Sequence, residues 1–463
     1  MANIIFVTNM EPHYVGMRDA LNTMENKEIS DAVEVIQIND SEQWNGYWQQ
    51  KLQYADFFFC TWMGTGLSCD FLKKASAFLQ QKKLRHLFDI IDPGDDKMDY
   101  GLQEEQKSLL KQYLACGGLK NYQNLCLYLV AAFTQQMIAY KLPEQLPWCG
   151  IYHPEFKHEF VELDAYLAKH YDSSKPTVGF IFSREDWLWQ RLAYQNEIIR
   201  SVEAQNCNVI AVFSTTMPNE QTGAVSLDTA FERFFYQDGK PCIDVLINPF
   251  VFSLTVTGFL KLQDLQQLGV PVLQVVNTYM PYKWWQQSMV GLTPNEVSYA
   301  VCMPEFDGAL HSVPVSTNEE REDGTHYRMP LADRIDMLAR KARKLASLCY
   351  KKPCDKKIAI VFHNYPPTNS NIGSAASLDS IESVRLLLEE MQKQGYRLDN
   401  IPTDSQAFVK DITVHATNDR RFISEALLET ADGKLEKLDY ASFYEQLPKK
   451  TPEQLLRAWG EAP

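Results

Sequence analysis

Thr177-Val-Gly-Phe-Ile-Phe182 is the stretch on which the fold turns. It is uncharged, rich in β-branched and aromatic residues, and too short for a buried helix. Lys175-Pro176 precedes it and the polar Ser183-Arg-Glu-Asp186 follows. Such a run reads as a strand buried on both faces, the kind that helices cover in a parallel sheet. Val209-Ile-Ala-Val-Phe213, Val245-Leu-Ile-Asn248, Val272-Leu-Gln-Val-Val276 and Tyr299-Ala-Val-Cys-Met303 repeat the pattern. Their spacing of roughly 25–35 residues leaves room for a helix between each pair, as in a doubly wound α/β unit.

Outward from this unit the same logic holds. Toward the N-terminus, Ile4–Thr8, Val33–Ile38 and Asp56–Cys60 read as strands. Helical periodicity covers 16–23, 71–81, 104–116 and 122–140. Leu142-Pro-Glu-Gln-Leu-Pro-Trp-Cys-Gly150 then breaks the periodicity. Toward the C-terminus, Leu331–Tyr350 is an amphipathic helix whose basic face reads as solvated, and Lys357–Phe362 reads as a strand opening another unit. Ser380–Gln394 reads as a helix stopped by Gly395. The expected fold class is α/β, with several flavodoxin- or Rossmann-like open parallel-sheet domains and flanking helices. The expected domains are an N-terminal α/β domain over 1–150, a flavodoxin-like domain over 151–330, and the start of a third α/β domain over 331–463 that stops inside the unit.

Composition narrows the function. The chain of 463 residues carries a formal net charge of −14, which argues against a phosphate-tracking nucleic-acid binder. Its 12% aromatic content excludes a disordered chain. No apolar stretch approaches the ~20 residues of a membrane helix. The ten cysteines are scattered without a Cys-x-x-Cys pair, a usage that fits a reducing, cytoplasmic setting.

Candidate chemistry is sparse. Gly64-Thr-Gly66 lacks the third glycine of a dinucleotide fingerprint and reads as an ordinary βα turn. The sequence has no G-x-x-x-x-G-K-[S/T] motif, so P-loop ATP hydrolysis is not expected. Asp89, Asp92, Asp95, Asp96 and Asp99 crowd around Pro93-Gly94 but do not follow calcium-loop order, and read as a solvated turn. His153 and His158, with Glu155 and Glu159, lie off helical metal spacing and read as linker residues. Tyr279-Met-Pro-Tyr-Lys-Trp-Trp285 follows a strand where open sheets place ligands. Its aromatics serve either to stack on a flat ring or to pack between domains. His363-Asn-Tyr-Pro-Pro-Thr-Asn-Ser-Asn371 leaves a strand with His, Asn and Tyr in line, and is the best site candidate on physical grounds.

Several of these residues form a familiar series. Lys357-Ile-Ala-Ile-Val-Phe-His-Asn-Tyr-Pro-Pro367, then Asn371-Ile-Gly-Ser-Ala375 and Leu378-Asp-Ser380, resembles the strand–NYPP–IG–LD signature of the CobN/magnesium-chelatase family. Lys175–Trp187, Leu268-Gly-Val-Pro-Val-Leu-Gln274, Met303-Pro-Glu-Phe-Asp-Gly308 and Trp459-Gly-Glu-Ala-Pro463 are similar to further family stretches in the same order, with Ala462 departing from the usual proline. The matches run from about residue 175 to the end; residues 1–150 agree only in type. The resemblance implies the N-terminal part of a CobN-like large subunit of an ATP-dependent cobaltochelatase, inserting Co²⁺ into a corrin precursor of the hydrogenobyrinic acid a,c-diamide type for cobalamin synthesis. Sister readings are Mg²⁺ insertion into protoporphyrin IX and a haem-handling relative. A pure tetrapyrrole- or partner-binding module stands outside that enzyme class.

On the same resemblance the divalent metal is substrate, and separate AAA+ partner subunits hydrolyse ATP. The family's metal-insertion stretch, H-x-G-x-H-G-x-x-E, lies downstream and is not in this sequence, which implies a piece without activity alone. The catalytic residues are then expected beyond this chain. His363, Asn364 and Tyr365, with Glu305 and Asp307, are the residues expected to line a macrocycle site; no metal ligand or bound cofactor is expected. The Pro304-Glu-Phe-Asp-Gly308 turn also suits a structural role for its two carboxylates.

Overall fold

The computed structural model describes residues 4–39, 42–64, 69–91, 99–134, 136–156, 159–219, 223–322, 324–414, 418–419, 421, 440–447 and 450–460. The chain divides into two units, Met1–Cys349 and Tyr350–Pro463.

The first unit is built on two sheets. In the N-terminal one, β1 (Ile4–Thr8), β2 (Val33–Gln37), β3 (Phe57–Met63) and β4 (His86–Ile91) are parallel in the order β2-β1-β3-β4, and β5 (Asp99–Tyr100) joins antiparallel at the edge. The second sheet contains β6 (Cys149–Ile151), β7 (Thr177–Ser183), β8 (Asn208–Ser214), β11 (Val245–Asn248), β12 (Val272–Asn277), β13 (Ala309–Glu320) and β14 (His326–Pro330). A two-strand ribbon, β9 (Tyr236–Gln237) and β10 (Lys240–Pro241), lies between β8 and β11 in sequence. The seven strands run β14-β13-β12-β11-β7-β8-β6, and the inner five, β8 to β13, are parallel. The parallel strands of both sheets have flavodoxin-type order, the first of them flanked by the second and third. The α/β fold class expected from the apolar runs is the observed one.

Why these strands are central is visible in their burial. Val178, Phe180, Ile181, Phe182, Ile210, Ala211, Val212 and Phe213 have no exposed surface. Alternate residues feed two separate cores, one on each face, with Val178, Phe180 and Phe182 in one and Ile181, Ile210 and Val212 in the other. Helix Ala332–Leu348 closes the first of these through Ile335, Leu338, Ala339, Ala342 and Ala346. It therefore belongs to the second sheet rather than to a third domain beginning at 331.

Two strands expected from sequence are absent. Residues 298–307 form a π-helical turn, Ser298–Cys302, and a 3₁₀ turn, Pro304–Asp307. The fifth parallel strand is instead Ala309–Glu320, whose mixed polar sequence hid its buried pattern. In the second unit, 357–362 pairs with no strand, and Ile358, Ile360 and Val361 are exposed. An apolar run with strand propensity becomes a strand only when a ladder partner is presented to it; among the described residues none is. Among its described residues this unit has a small ribbon, β15 (Ser374–Ala375) with β16 (Leu378–Asp379), and helices Ser380–Lys393, Ser405–Val414, Tyr440–Glu445 and Lys450–Trp459. Asp379 caps the first helix by accepting from Glu382 N–H at 2.9 Å. The helix expected over 122–140 runs only from Leu119 to Phe133, and β4 was hidden among polar residues.

Two glycines hold the sheets of the first unit together. Trp189, from the loop after β7, lies against helix Glu11–Thr23 at Gly16 and packs edge-on to Tyr122 at 4.9 Å. A Cβ on Gly16 would meet the Trp189 ring at 2.4 Å, and one on Gly117 would meet Leu188 at 2.3 Å. Gly16→Ala is expected to destabilise the unit by about 1–3 kcal/mol through overpacking, although alanine is the better helix former by about 1 kcal/mol. Gly46→Ala, where an added Cβ would have nothing within 4 Å, is the control and should be neutral or slightly stabilising. Urea midpoints of the two variants decide it.

Candidate functional site

The two sheets point the same feature at each other. In open α/β sheets, ligands bind at the carboxyl ends of the strands where the strand order reverses. β1 is that strand in the first sheet and β7 in the second. Glu11, Val15, Arg18 and Asp19 follow β1, and Asp186, Trp189, Gln190 and Arg191 follow β7. Together with Tyr279 beyond β12 and Arg321, His326, Tyr327 and Arg328 of the β13–β14 hairpin, they line a cleft of about 590 Å³.

Each wall is fixed by hydrogen bonds. Glu11 is the hub: its Oε1 lies 3.3 Å from Arg191 Nη2 and accepts from the His326 backbone N–H at 3.2 Å, while Oε2 lies 3.2 Å from His326 Nδ1. The loop after β12 is held by Glu296, a buried carboxylate that accepts from Thr278 Oγ1 at 2.6 Å, Tyr279 N–H at 2.8 Å and Thr293 N–H at 2.8 Å. Burial alone would raise its pKa, but these bonds outweigh it and lower the value. Arg328 donates from Nη1 to the Thr278 carbonyl at 2.8 Å and lies over the Tyr279 ring at 4.8 Å. Arg321 lies over Tyr327 at 5.0 Å.

The cleft's electrostatics differ from those of the chain. Four arginines, Arg18, Arg191, Arg321 and Arg328, face three carboxylates, Glu11, Asp19 and Asp186. Desolvation raises the Asp186 pKa to about 6, against the pull of Arg328 and Arg191. Its Oδ2 accepts from Gln195 Nε2 at 2.7 Å. Nearby, burial lowers the His13 pKa to about 4, so that ring is neutral at pH 7; its Nδ1 lies 3.2 Å from Thr61 Oγ1. Guanidinium groups beside Trp189, Tyr279 and Tyr327 suit a flat ligand carrying several carboxylates.

The residues singled out in the sequence fall elsewhere, with one exception. Tyr279 of the aromatic run lines the cleft. Asp307 is engaged with the segment after β11: it accepts from Ser253 Oγ at 2.7 Å, Leu254 N–H at 2.6 Å, and Thr255 N–H and Oγ1 at 3.2 and 2.6 Å. Glu305, two residues earlier, is exposed. In the second unit, His363 is exposed and borders a recess of about 220 Å³ with Phe362, Gly373 and Leu378. Asn364 accepts from Thr368 N–H at 3.3 Å and donates to Asn418, while Tyr365 is 73% exposed. Thr65 and Gly66 of the glycine turn, residues 92–98 of the aspartate cluster, and His158 lie outside the described residues. His153 is not a linker residue: it is buried against Glu203 and His170.

Glu11, Arg18, Asp186, Arg191, Arg321, His326 and Arg328 were not legible as a site. They are spread over more than 300 positions, and only the strand order brings them together. The one available signal was the polar Ser183-Arg-Glu-Asp186 at the end of the buried strand β7.

The CobN/Magnesium Chelatase family model matches residues 111–463, and the chain belongs to that family. It is 37% identical over 387 residues to an uncharacterized protein of Methanocaldococcus jannaschii, covering 80% of this chain and 31% of the relative. It is 25% identical over 381 residues to the aerobic cobaltochelatase subunit CobN of Pseudomonas aeruginosa, covering 80% and 29%. With the chloroplastic magnesium-chelatase subunit ChlH of rice, identity is 24% over 325 residues, covering 65% and 22%. The chain thus spans about a third or less of these curated relatives. The catalytic subunit of cobaltochelatase from Mycobacterium tuberculosis shares the fold, with a TM-score of 0.62 at 18% identity over the whole of this chain and 36% of that one. Among the described residues no helix is long and apolar enough to cross a membrane.

The raised Asp186 pKa sets a pH dependence. The folded state holds this proton more tightly than the unfolded chain, whose carboxyl titrates near 3.8. The group's stabilising contribution is therefore complete below that value and is lost as pH rises through about 6. Asp186→Asn should gain on wild type between pH 4 and 7.5 by at most about 3 kcal/mol. Urea midpoints of both proteins across that range check the sign; a constant difference would assign the shift to another group.

Proposed function

We propose that this chain is a macrocycle-holding part of a tetrapyrrole–metal chelatase large subunit, and that the arginine-lined cleft receives the carboxylates on the periphery of the ring. The observation that carries this is the convergence of four guanidinium groups and three aromatic rings on the strand ends of both sheets. A chain with net charge −14 has no general reason to collect arginines there. Family membership supports the tetrapyrrole as ligand class.

Within that class we favour a cobaltochelatase-type protein acting on a corrin precursor, with Co²⁺ as substrate. Corrin precursors carry more side-chain carboxylates than protoporphyrin, and so engage more of the four arginines. Magnesium insertion into protoporphyrin is the second reading, supported by the likeness to magnesium-chelatase subunits. ATP hydrolysis falls to separate ATPase subunits in either case, and the setting is cytoplasmic. Taken by itself, the second unit offers His363 and Tyr365 as candidate ligand-binding residues, as both are exposed on their loop. Asn364 has a positioning role in that loop. Of the pair in the 3₁₀ turn, Glu305 is open to a ligand, while Asp307 orders the 253–256 loop. In this reading the chain's own work is binding and orientation: guanidinium groups fix the rim of the ring, and Tyr279 and Trp189 cover its face.

Absorbance and tryptophan-quenching titrations with a metal-free corrin precursor, protoporphyrin and haem test this directly. The corrin precursor should saturate, and Arg328→Ala and Arg191→Ala should each weaken it by about 10- to 100-fold, the worth of one charged hydrogen bond. Binding unchanged in both variants would remove the cleft as the site. Preference for protoporphyrin would favour the magnesium reading.

A further inference from the structure

Away from the cleft, three side chains from separate elements converge. His153 follows β6, His170 ends helix Leu163–His170, and Glu203 lies near the end of helix Ala193–Ala204. His153 Nε2 is 3.0 Å and His170 Nε2 2.6 Å from the same atom, Glu203 Oε1. One nitrogen or oxygen from each residue lies within 4.8 Å of the others. The imidazoles sit 4.2 Å apart, ring centre to ring centre, and His170 is flanked by Phe156 and Tyr166. The His153 side chain is wholly buried, whereas His170 and Glu203 are each about a quarter exposed. That leaves one side open to solvent.

We propose that His153, His170 and Glu203 form a site for a first-row divalent metal ion of the zinc or cobalt(II) type. Two imidazoles and a carboxylate are the ligands such borderline ions select, and the exposed side leaves a position for water. The aromatic surroundings lower the local dielectric, so an ion there is held more tightly than at the surface. Without the ion, the two Nε2–H groups donate to one carboxylate oxygen. The Glu155 N–H donates to His153 Nδ1 at 3.3 Å, which places the His153 ring proton on Nε2. To ligate, each Nε2 gives up its proton, to Nδ1 of the same ring or to solvent, and at His153 a proton on Nδ1 displaces the long Glu155 contact.

The position suggests the role. Helix Ala193–Ala204 starts at the cleft and reaches Glu203 ten residues on, about 15 Å away at 1.5 Å per residue. The ion would sit at the amino ends of the parallel strands, opposite the cleft, and clamp the β6 loop and two helix ends. It is a site distinct from any in the cleft, and does not depend on the function proposed for the cleft.

The test uses the tag-free 463-residue chain, stripped by chelator dialysis and titrated with Co²⁺. One ion per chain with visible ligand-field bands is expected, together with a rise in Tm. Glu203→Gln and His170→Ala should each weaken binding at least by the roughly 100-fold that changes outside the ligand shell already cost. Circular dichroism without metal checks that the variants fold. If they do not, Co K-edge absorption of the wild-type complex decides: two imidazole shells support the site, and their absence overturns it. No saturable binding, binding undiminished in both variants, or thiolate-to-cobalt charge-transfer bands from the cysteines would each overturn it as well.

Discussion

Trp189 packs against the cores of both sheets in the first unit, and the geometry of the cleft follows from that. Its ring fits over Gly16, where no side chain stands between it and the helix backbone, and its indole N–H donates to Glu185 at 3.0 Å. Leu188 fills the space above Gly117 in the same way. The adjacent Arg184 is buried, donating from Nε to the Pro147 carbonyl at 2.8 Å and stacking on Trp148 at 4.1 Å. One short segment after β7 is thus locked to the first sheet, to the linker and to its own sheet. The neighbouring Asp186 and Arg191 are set in place with it. Close-packed contacts of this kind tolerate little displacement, so the width of the cleft is fixed by packing rather than by its charged lining.

The charges inside the cleft are arranged for a ligand more than for stability. Arg191 meets Glu11 at 3.3 Å, an ion-pair distance, without hydrogen-bond geometry at its buried Nη2. A buried guanidinium nitrogen left short of a partner costs free energy. Asp186 is held where its charged form is disfavoured below about pH 6. Compare Glu296, whose oxygens are saturated by Thr278, Tyr279 and Thr293 and whose ionised form is favoured. Glu296 builds the wall; Arg191 and Asp186 retain unspent capacity. An anionic ligand that engages the guanidinium groups would relieve the first and favour protonation of the second.

Reading by periodicity succeeded where burial is two-sided and failed where it depends on neighbours. β7, β8, β11 and β12 were visible because each is apolar over most of its length. β13 was missed because His311, Ser312 and the run Ser316–Glu320 are polar, although Val313 and Val315 are buried within it. The 357–362 run was read as a strand from its residues alone, and a ladder needs two partners. The family resemblance was legible from collinear motifs, of which Lys175–Trp187 alone reaches the cleft, through Asp186. Phe180 and Phe182 carry the packing, whereas Asp186 and Arg191 gain their meaning only from the strand order beside them.

That order also explains why the two ends of the second sheet differ in chemistry. At the carboxyl ends, strands stop and loops diverge around the reversal between β7 and β11, leaving a crevice that arginines line. At the amino ends, chains arrive from the edge strand β6 and from two helices and must be tied down. There Tyr166 donates to the Val209 carbonyl at 2.6 Å, and Asn208 donates to Asp172 and Lys175 carbonyls at 2.8 and 3.2 Å. His153, His170 and Glu203 belong to this second set. Helix Ala193–Ala204 is the physical link, because Tyr194 and Gln195 at one end face Asp186 and Glu203 at the other faces the two histidines. Whatever fixes Glu203 therefore also fixes the seat of Asp186, since a helix packed through Ile198, Ile199 and Val202 moves as a body or not at all.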